Sequence, residues 1–126
     1  MRFIALLAFA LTAAVGARAQ MPIPDAPAPD GAVLFRNQCA ICHTLKAAEP
    51  QRQGPTLEHV YGRKIGSIDT YKYTPGYRES GGVWDDAALD KYLTNPSAMF
   101  PGSTMLYRQA NAATRQAIIA YLKDQG

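Results

Sequence analysis

The sequence predicts a small all-α domain with three main helices and long loops wrapped around one covalently attached prosthetic group. Three observations lead to this prediction. Three segments carry apolar residues at helical spacing, a long stretch rich in Gly, Pro, Thr, Ser and Tyr separates the first two, and residues 39–43 read Cys-x-x-Cys-His. This last pattern is the attachment motif for a c-type haem, so the predicted group is haem.

The motif is Cys39-Ala40-Ile41-Cys42-His43. Cysteines three residues apart share one face of a helical turn, from which each sulfur can form a thioether with a haem vinyl group. The histidine that follows can turn a ring nitrogen to the iron. Because the chain has only two cysteines, both are accounted for by one haem attached through Cys39 and Cys42.

The first thirty residues predict export. Residues 1–19 resemble a cleavable signal peptide, with Arg2 at the start, an apolar run after it and Ala17-Arg18-Ala19 as the cleavage site. About thirteen apolar residues are short for a span, which takes roughly 20, so an uncleaved anchor is the weaker alternative. The proline-rich residues 20–30 are interpreted as a linker or arm, or a disordered tail, and residues 31–126 as one domain.

Charge and cysteine count exclude several classes. The net charge of +3 includes Arg2 and Arg18, and without them 13 − 2 = 11 basic residues face 10 acidic ones, which argues against a nucleic-acid partner. A disulfide or a thioredoxin-like site could also use two cysteines. The adjacent histidine and the lack of strand patterns favour haem over both. A zinc site would need ligands besides His59, which is the only other histidine.

The first predicted helix starts after Asp30 as N-cap and runs from Gly31 to about Ala40, so that it delivers the motif. Residues 44–82 show no long helical pattern and are predicted to be mostly loop, which can pack on the haem ring. Within this loop Gly54-Pro55 is a turn signal. The Pro55 carbonyl can accept a hydrogen bond from the second ring nitrogen of His43, as metal-bound histidines generally require.

Two further helices follow. One begins near Asp85-Asp86 after Trp84, carries apolar residues at helical spacing through Leu93, and is stopped by Pro96. The other begins after Asn111 as N-cap and runs nearly to Gly126. Its apolar stripe consists of Ala117, Ile118, Tyr121 and Leu122.

A Pro-Gly turn between these two helices leads to Met105. From the residues alone, this methionine is either a soft sixth ligand for iron or a filler of the core. Met99 is a competing sulfur ligand, and His59 is a more remote candidate.

Motifs along the whole domain resemble class I cytochrome c, most closely the mitochondrial-type and related bacterial periplasmic forms. The matching segments, in order, are Gly31 with Phe35, Cys39-x-x-Cys42-His43-Thr44, Gly54-Pro55-Thr56-Leu57, Tyr61-Gly62-Arg63-Lys64, Tyr73-Thr74, Trp84, Tyr92-Leu93-Thr94-Asn95-Pro96, Pro101-Gly102-Ser103-Thr104-Met105 and Ile119-Ala120-Tyr121-Leu122-Lys123.

The resemblance implies a role for each matched position. His43 and Met105 would ligate the iron, and the Pro55 carbonyl would orient His43. Arg63 would neutralise a haem propionate, Tyr73 and Trp84 would donate hydrogen bonds to the propionates, and Tyr92 would lie beside the Met105 sulfur. Gly31, Phe35 and Tyr121 would lie where the first and last helices cross.

The resemblance also implies a one-electron carrier, here a periplasmic monomer without a membrane span after signal cleavage. Redox proteins would dock transiently at the exposed haem edge, and one of them could be an exported oxidoreductase that the carrier serves. Gln38, Ser97, Ala98 and Thr104 replace several lysines of the mitochondrial pattern, so strong positive steering is not expected. The alternative function is a ligand-binding or weakly peroxidatic haem protein in which the sixth ligand is displaceable.

Overall fold

The computed structural model describes residues 27–125. Within them the chain forms five helices, α1 (Gly31–Gln38), α2 (Pro75–Glu79), α3 (Asp86–Thr94), α4 (Pro96–Met99) and α5 (Ala112–Asp124). The predicted all-α class with three main helices is confirmed. The predicted signal peptide, residues 1–19, and most of the predicted arm, residues 20–30, lie outside the described residues.

Helix α1 begins as predicted but ends earlier. The Asp30 carboxylate accepts hydrogen bonds from the backbone N–H groups of Ala32 and Val33, which satisfies donors that a helix start leaves free. The helix ends at Gln38, not near Ala40, and Cys39 caps it. The haem motif therefore lies in the turn after the helix.

Helices α1 and α5 cross at Gly31. A Cβ atom at this position would lie 2.3 Å from the Ala117 carbonyl oxygen and 2.8 Å from the Tyr121 Cβ. Only glycine allows the two backbones to approach so closely. Four residues further on, the Phe35 ring packs on Tyr121 with 5.5 Å between centroids. The predicted crossing is confirmed.

Helix α3 begins after Asp85, whose carboxylate accepts a hydrogen bond from the Ala88 N–H. It ends at Thr94, one residue before the Asn95 cap, so the prediction that Pro96 stops this helix is confirmed. Pro96 is also the first residue of the short helix α4, where a missing N–H costs nothing. Asn95 caps α4 through its side chain.

The segment predicted as mostly loop contains one short helix, α2, and an isolated antiparallel bridge between Lys64 and Val83. The Gly62 N–H donates to the Trp84 carbonyl, and the Trp84 N–H donates to the Arg63 carbonyl. These bonds hold Arg63 and Trp84 side by side, although they are distant in sequence.

The buried core joins all three main helices to the loop. Its members from the helices include Phe35, Leu89, Leu93, Ile118 and Leu122. Ile119 is also buried, although it lies outside the predicted stripe of α5, because both α1 and α3 pack against that helix. None of the helices between residues 27 and 125 is long and apolar enough to cross a bilayer.

Candidate haem-binding site

A cavity of about 410 Å³ opens between the helices and the long loop. Every residue that the sequence predicts to bind haem lines this cavity. They are Cys39, Cys42, His43, Pro55, Arg63, Tyr73, Trp84, Tyr92 and Met105. The fold thus brings together residues from the start, middle and end of the domain on one surface.

His43 is positioned by the turn that follows α1. The backbone N–H groups of Cys42 and His43 both donate to the Cys39 carbonyl, at 3.1 and 3.0 Å, so the motif forms one tight helical turn. The Arg52 guanidinium donates to the carbonyl oxygens of Ala40 and His43, which closes the turn on its other side. Sequence reasoning assigned Arg52 no such role.

The His43 ring is oriented by Pro55, since its Nδ1 lies 2.8 Å from the Pro55 carbonyl oxygen. A carbonyl can only accept, so Nδ1 carries the proton and Nε2 keeps its lone pair. Burial lowers the pKa of His43, and the hydrogen bond to Pro55 opposes this in part. The ring is therefore neutral near pH 7, with one nitrogen free to bind a metal.

Gly54 makes the contact between loop and histidine possible. A Cβ atom on Gly54 would lie 2.2 Å from the His43 Cε1 and 2.8 Å from its Nε2, far inside van der Waals contact. The Gly54 N–H donates to the Cys42 carbonyl at 2.7 Å, so the loop lies directly against the motif. The turn signal Gly54-Pro55 predicted the turn but not this steric requirement.

Cys39 and Cys42 are both free thiols, so the disulfide alternative is wrong for this structure. Burial raises the pKa of Cys39 to about 11, and the nearby Cys42 adds to the rise. The buried thiol is therefore protonated near pH 7. A protonated thiol at the cavity wall suits thioether formation better than binding of a metal cation, which needs a thiolate.

Met105 lines the cavity from the turn that follows α4. The turn is closed by the Ser103 N–H, which donates to the Phe100 carbonyl, and by Gly102 at a φ of +84°. Neither competing ligand lines the cavity, because Met99 packs against the core from α4 and His59 is exposed on the loop. Among residues 27–125, Met105 is thus the only methionine that lines the cavity.

Beyond Met105 the chain runs to α5 as an anchored strap of residues 106–111. The Gln109 N–H donates to the Leu93 carbonyl at 2.9 Å, and the Tyr107 hydroxyl donates to Gln38 Oε1 at 2.6 Å. Arg115 donates to the carbonyl oxygens of Gln109 and Ala110 and forms an ion pair with Asp90 at 2.7 Å. These bonds fix the end of the strap that follows Met105.

Arg63 lies in the cavity wall with its side chain held by the loop. Its guanidinium nitrogens donate to the carbonyl oxygens of Glu58 and Thr56 at 2.8 and 2.9 Å. Burial lowers the pKa of Arg63, while Tyr73 and Glu58 raise it, yet a guanidinium stays charged at any physiological pH. The wall of an otherwise largely apolar cavity therefore carries a fixed positive charge.

Thr74 has an unused hydroxyl at the same cavity. It is the N-cap of α2 but makes no side-chain capping bond. Its Oγ1 is the one buried side-chain oxygen or nitrogen between residues 27 and 125 without a hydrogen-bond partner. A buried unpaired hydroxyl costs about 1–3 kcal/mol, so it points to a polar group that the cavity receives. Sequence reasoning gave Thr74 no role, although it belongs to the matched segment Tyr73-Thr74.

The cavity fits a haem on these observations. It offers two thiols and a neutral histidine on the motif turn, a thioether sulfur on the Met105 turn, and a cation with an unpaired hydroxyl where carboxylates could lie. In the part of the chain that the structure describes, no group of three or more His, Cys, Asp and Glu side chains could hold a metal ion directly.

An all-α domain with this motif and this cavity defines a c-type haem protein. The family model for cytochrome c matches residues 28–126. A cytochrome c2 of Magnetospirillum molischianum is 44% identical over 102 residues, which cover 79% of this chain and 96% of the relative. The cytochrome c of Gibberella zeae is 41% identical over 95 residues, 75% and 90% of the two chains. This chain belongs to the cytochrome c family.

Membership confirms the coarser predictions. The protein carries one covalently attached c-type haem, bound through Cys39 and Cys42. It is an electron-transfer protein that acts with redox partners, and not an enzyme.

Proposed function

We propose that the protein is a one-electron carrier in which His43 and Met105 ligate the haem iron from opposite faces. The observation that carries this proposal is that both side chains line one cavity, with the His43 Nδ1 bonded to the Pro55 carbonyl and its Nε2 left free. When bound, the haem supplies the one-electron couple. The residues of the chain set how readily that couple accepts an electron.

Two features of the site favour the reduced state. A methionine sulfur is a soft ligand that prefers ferrous iron, and His/Met ligation raises the reduction potential. Buried apolar side chains such as Leu89, Leu93 and Ile118 line the cavity and disfavour the extra positive charge of the oxidised state. We therefore expect a clearly positive potential.

Arg63, Tyr73 and Trp84 hold the propionates in this proposal. The backbone bonds between residues 62–63 and Trp84 place Arg63 and Trp84 together, and the Tyr73 ring lines the same cavity. Burial raises the pKa of Tyr73, so its hydroxyl remains a donor at neutral pH. The unpaired Thr74 hydroxyl joins this group as a fourth donor.

Redox partners dock in this proposal at the mouth of the cavity. Two large apolar side chains adjoin the site and are exposed, Ile41 at 75% and Leu106 at 86%. Gln38 and Thr104 line the cavity without adding charge. A small, transient apolar contact, in the class below about 1,200 Å², suits a carrier that must release its partner.

The carrier acts as a monomer in the periplasm after cleavage of residues 1–19 in this proposal.

The absorption spectrum of the ferric protein tests the ligand set. Sulfur ligation gives a weak charge-transfer band in the far red, so Met105→Ala should abolish the band. Met99→Ala is the matched control and should retain it, because Met99 packs on the core. Loss of the band in Met99→Ala, or its retention in Met105→Ala, would refute the assignment. Rapid binding of carbon monoxide by the wild-type ferrous protein would favour the alternative, a ligand-binding or weakly peroxidatic haem protein.

A further inference from the structure

Tyr77 makes a hydrogen-bond junction beside the Met105 turn that the ligand set does not explain. Its hydroxyl lies 2.7 Å from the Tyr92 hydroxyl and 2.5 Å from the Ser103 Oγ. The Ser103 Oγ in turn accepts from the Met105 N–H at 3.3 Å. One phenol thus connects α3 to the turn that carries the methionine.

Tyr77 is itself held firmly. Its side chain is only 8% exposed, and its ring packs on Phe100 with 4.3 Å between centroids. Its backbone lies against the loop at Gly66, where an added Cβ would be 2.6 Å from the Tyr77 carbonyl oxygen. A rigid junction of this kind can restrain what it bonds to, whereas a mobile surface tyrosine could not.

The hydroxyl hydrogens of the junction can be counted. Tyr77, Tyr92 and Ser103 supply three O–H hydrogens, and their two O···O contacts use two of them. The third is left for another acceptor, and both tyrosines line the cavity. Burial raises the pKa of Tyr92, with the Tyr77 contact adding to the rise, so Tyr92 stays protonated and keeps its hydroxyl hydrogen.

We propose that Tyr77 is a positioning residue that locks the Met105 turn onto α3 through Ser103 and Tyr92 and so slows departure of the methionine from the iron. The proposal rests on the proposed His43 and Met105 ligation. In this role Tyr77 does not contact the redox partner proteins that give or take the electron. It acts on how long Met105 stays in place, and hence on whether small molecules can reach the iron.

The test is the rate at which cyanide binds to the ferric, haem-loaded protein. At saturating cyanide this rate is limited by the departure of the native sixth ligand. Tyr77→Phe keeps the ring but removes two hydrogen bonds, so the limiting rate should rise roughly tenfold. Tyr121→Phe is the matched control, since it also removes a tyrosine hydroxyl but at the α1–α5 crossing. Its limiting rate should stay within about twofold of the wild-type rate.

Ser103→Ala provides a second, independent variant. It should raise the limiting rate as Tyr77→Phe does, and the double variant should differ little from either single one, because each change breaks the same link. Rates that multiply in the double variant would show that Tyr77 does not act through Ser103. A Tyr77→Phe protein with a lower melting temperature but an unchanged limiting rate would reduce Tyr77 to a packing role. Either outcome overturns the inference.

Met105→Ala separates this inference from the proposed function. It should bind cyanide without the slow limiting step. If it does and Tyr77→Phe behaves as wild type, the inference is wrong and the ligand set stands. If Met105→Ala leaves both the far-red band and the limiting rate unchanged, the ligand set itself is wrong and the inference falls with it.

Discussion

Replacing Gly54 with alanine should disturb the haem site through a single methyl group. The added Cβ would lie 2.2 Å from the His43 Cε1, whereas ordinary contact begins at 3.4 Å, so the ring or the loop must move by about 3.4 − 2.2 = 1.2 Å. A shift of that size breaks the 2.8 Å contact between His43 Nδ1 and the Pro55 carbonyl. Overpacking costs about 1–3 kcal/mol and the lost hydrogen bond about 1 kcal/mol more.

The assay is denaturant unfolding of the haem-loaded protein, with the ferric spectrum recorded in parallel. Gly54→Ala should lower the free energy of unfolding by roughly 2–4 kcal/mol. It should also perturb the spectrum, because in the proposed ligand set the displaced imidazole would be misaligned with the iron. Gly76→Ala is the matched control, since its Cβ would meet Phe100 at an ordinary 3.7 Å within α2. A Gly54→Ala protein as stable as Gly76→Ala, with an unchanged spectrum, would refute the steric reasoning.

Three other outcomes are expected. Gly31→Ala should destabilise the protein by roughly 1–3 kcal/mol in denaturant unfolding, because its Cβ would lie 2.3 Å from the Ala117 carbonyl oxygen and the two helices would have to separate. Hydrogen bonds lower the pKa of the exposed Asp86. Its contribution to stability is therefore present at neutral pH and is lost as the pH falls through the pKa of the folded state. The melting temperature of Asp86→Asn should depend less on pH in the acid range than that of wild type. Thr74→Val should destabilise the haem-loaded protein by about 1 kcal/mol in urea unfolding if its hydroxyl bonds a propionate, whereas exposed Thr70→Val should be within about 0.5 kcal/mol of wild type.

The helices were predictable because their signals are local. Asp30 and Asn111 each cap a helix as predicted, since a short polar side chain before an apolar stripe satisfies the first free N–H groups whatever the rest of the fold does. The end of α1 was less predictable. The helix is followed directly by the motif turn, in which the Cys39 carbonyl accepts hydrogen bonds from two N–H groups. This turn is held by the loop at Gly54, which packs against it.

The residues of the site likewise fall into those that a local motif predicts and those that depend on the folded structure. The motif named Cys39, Cys42 and His43 by spacing alone, and the resemblance supplied the other lining residues. No role was predicted for Thr74 or Tyr77, because their importance comes from long-range packing. The Thr74 hydroxyl is buried at the cavity, and the Tyr77 hydroxyl meets Tyr92 and Ser103, only once the long loop has folded over the helices. No periodicity or composition records that. The steric role of Gly54 is equally invisible until the ring beside it is placed.

The meeting of Gly31 with α5 has a consequence for the order of events during biosynthesis. The first helix pairs with α5, which lies far along the chain, so this contact cannot form until the chain through α5 has been made. Contacts between such distant segments are slow to close, since a long intervening chain must first be ordered. Until that contact closes, α1 lacks the surface on which Phe35 packs, so we expect the cysteine turn that follows α1 to become fixed only late in folding.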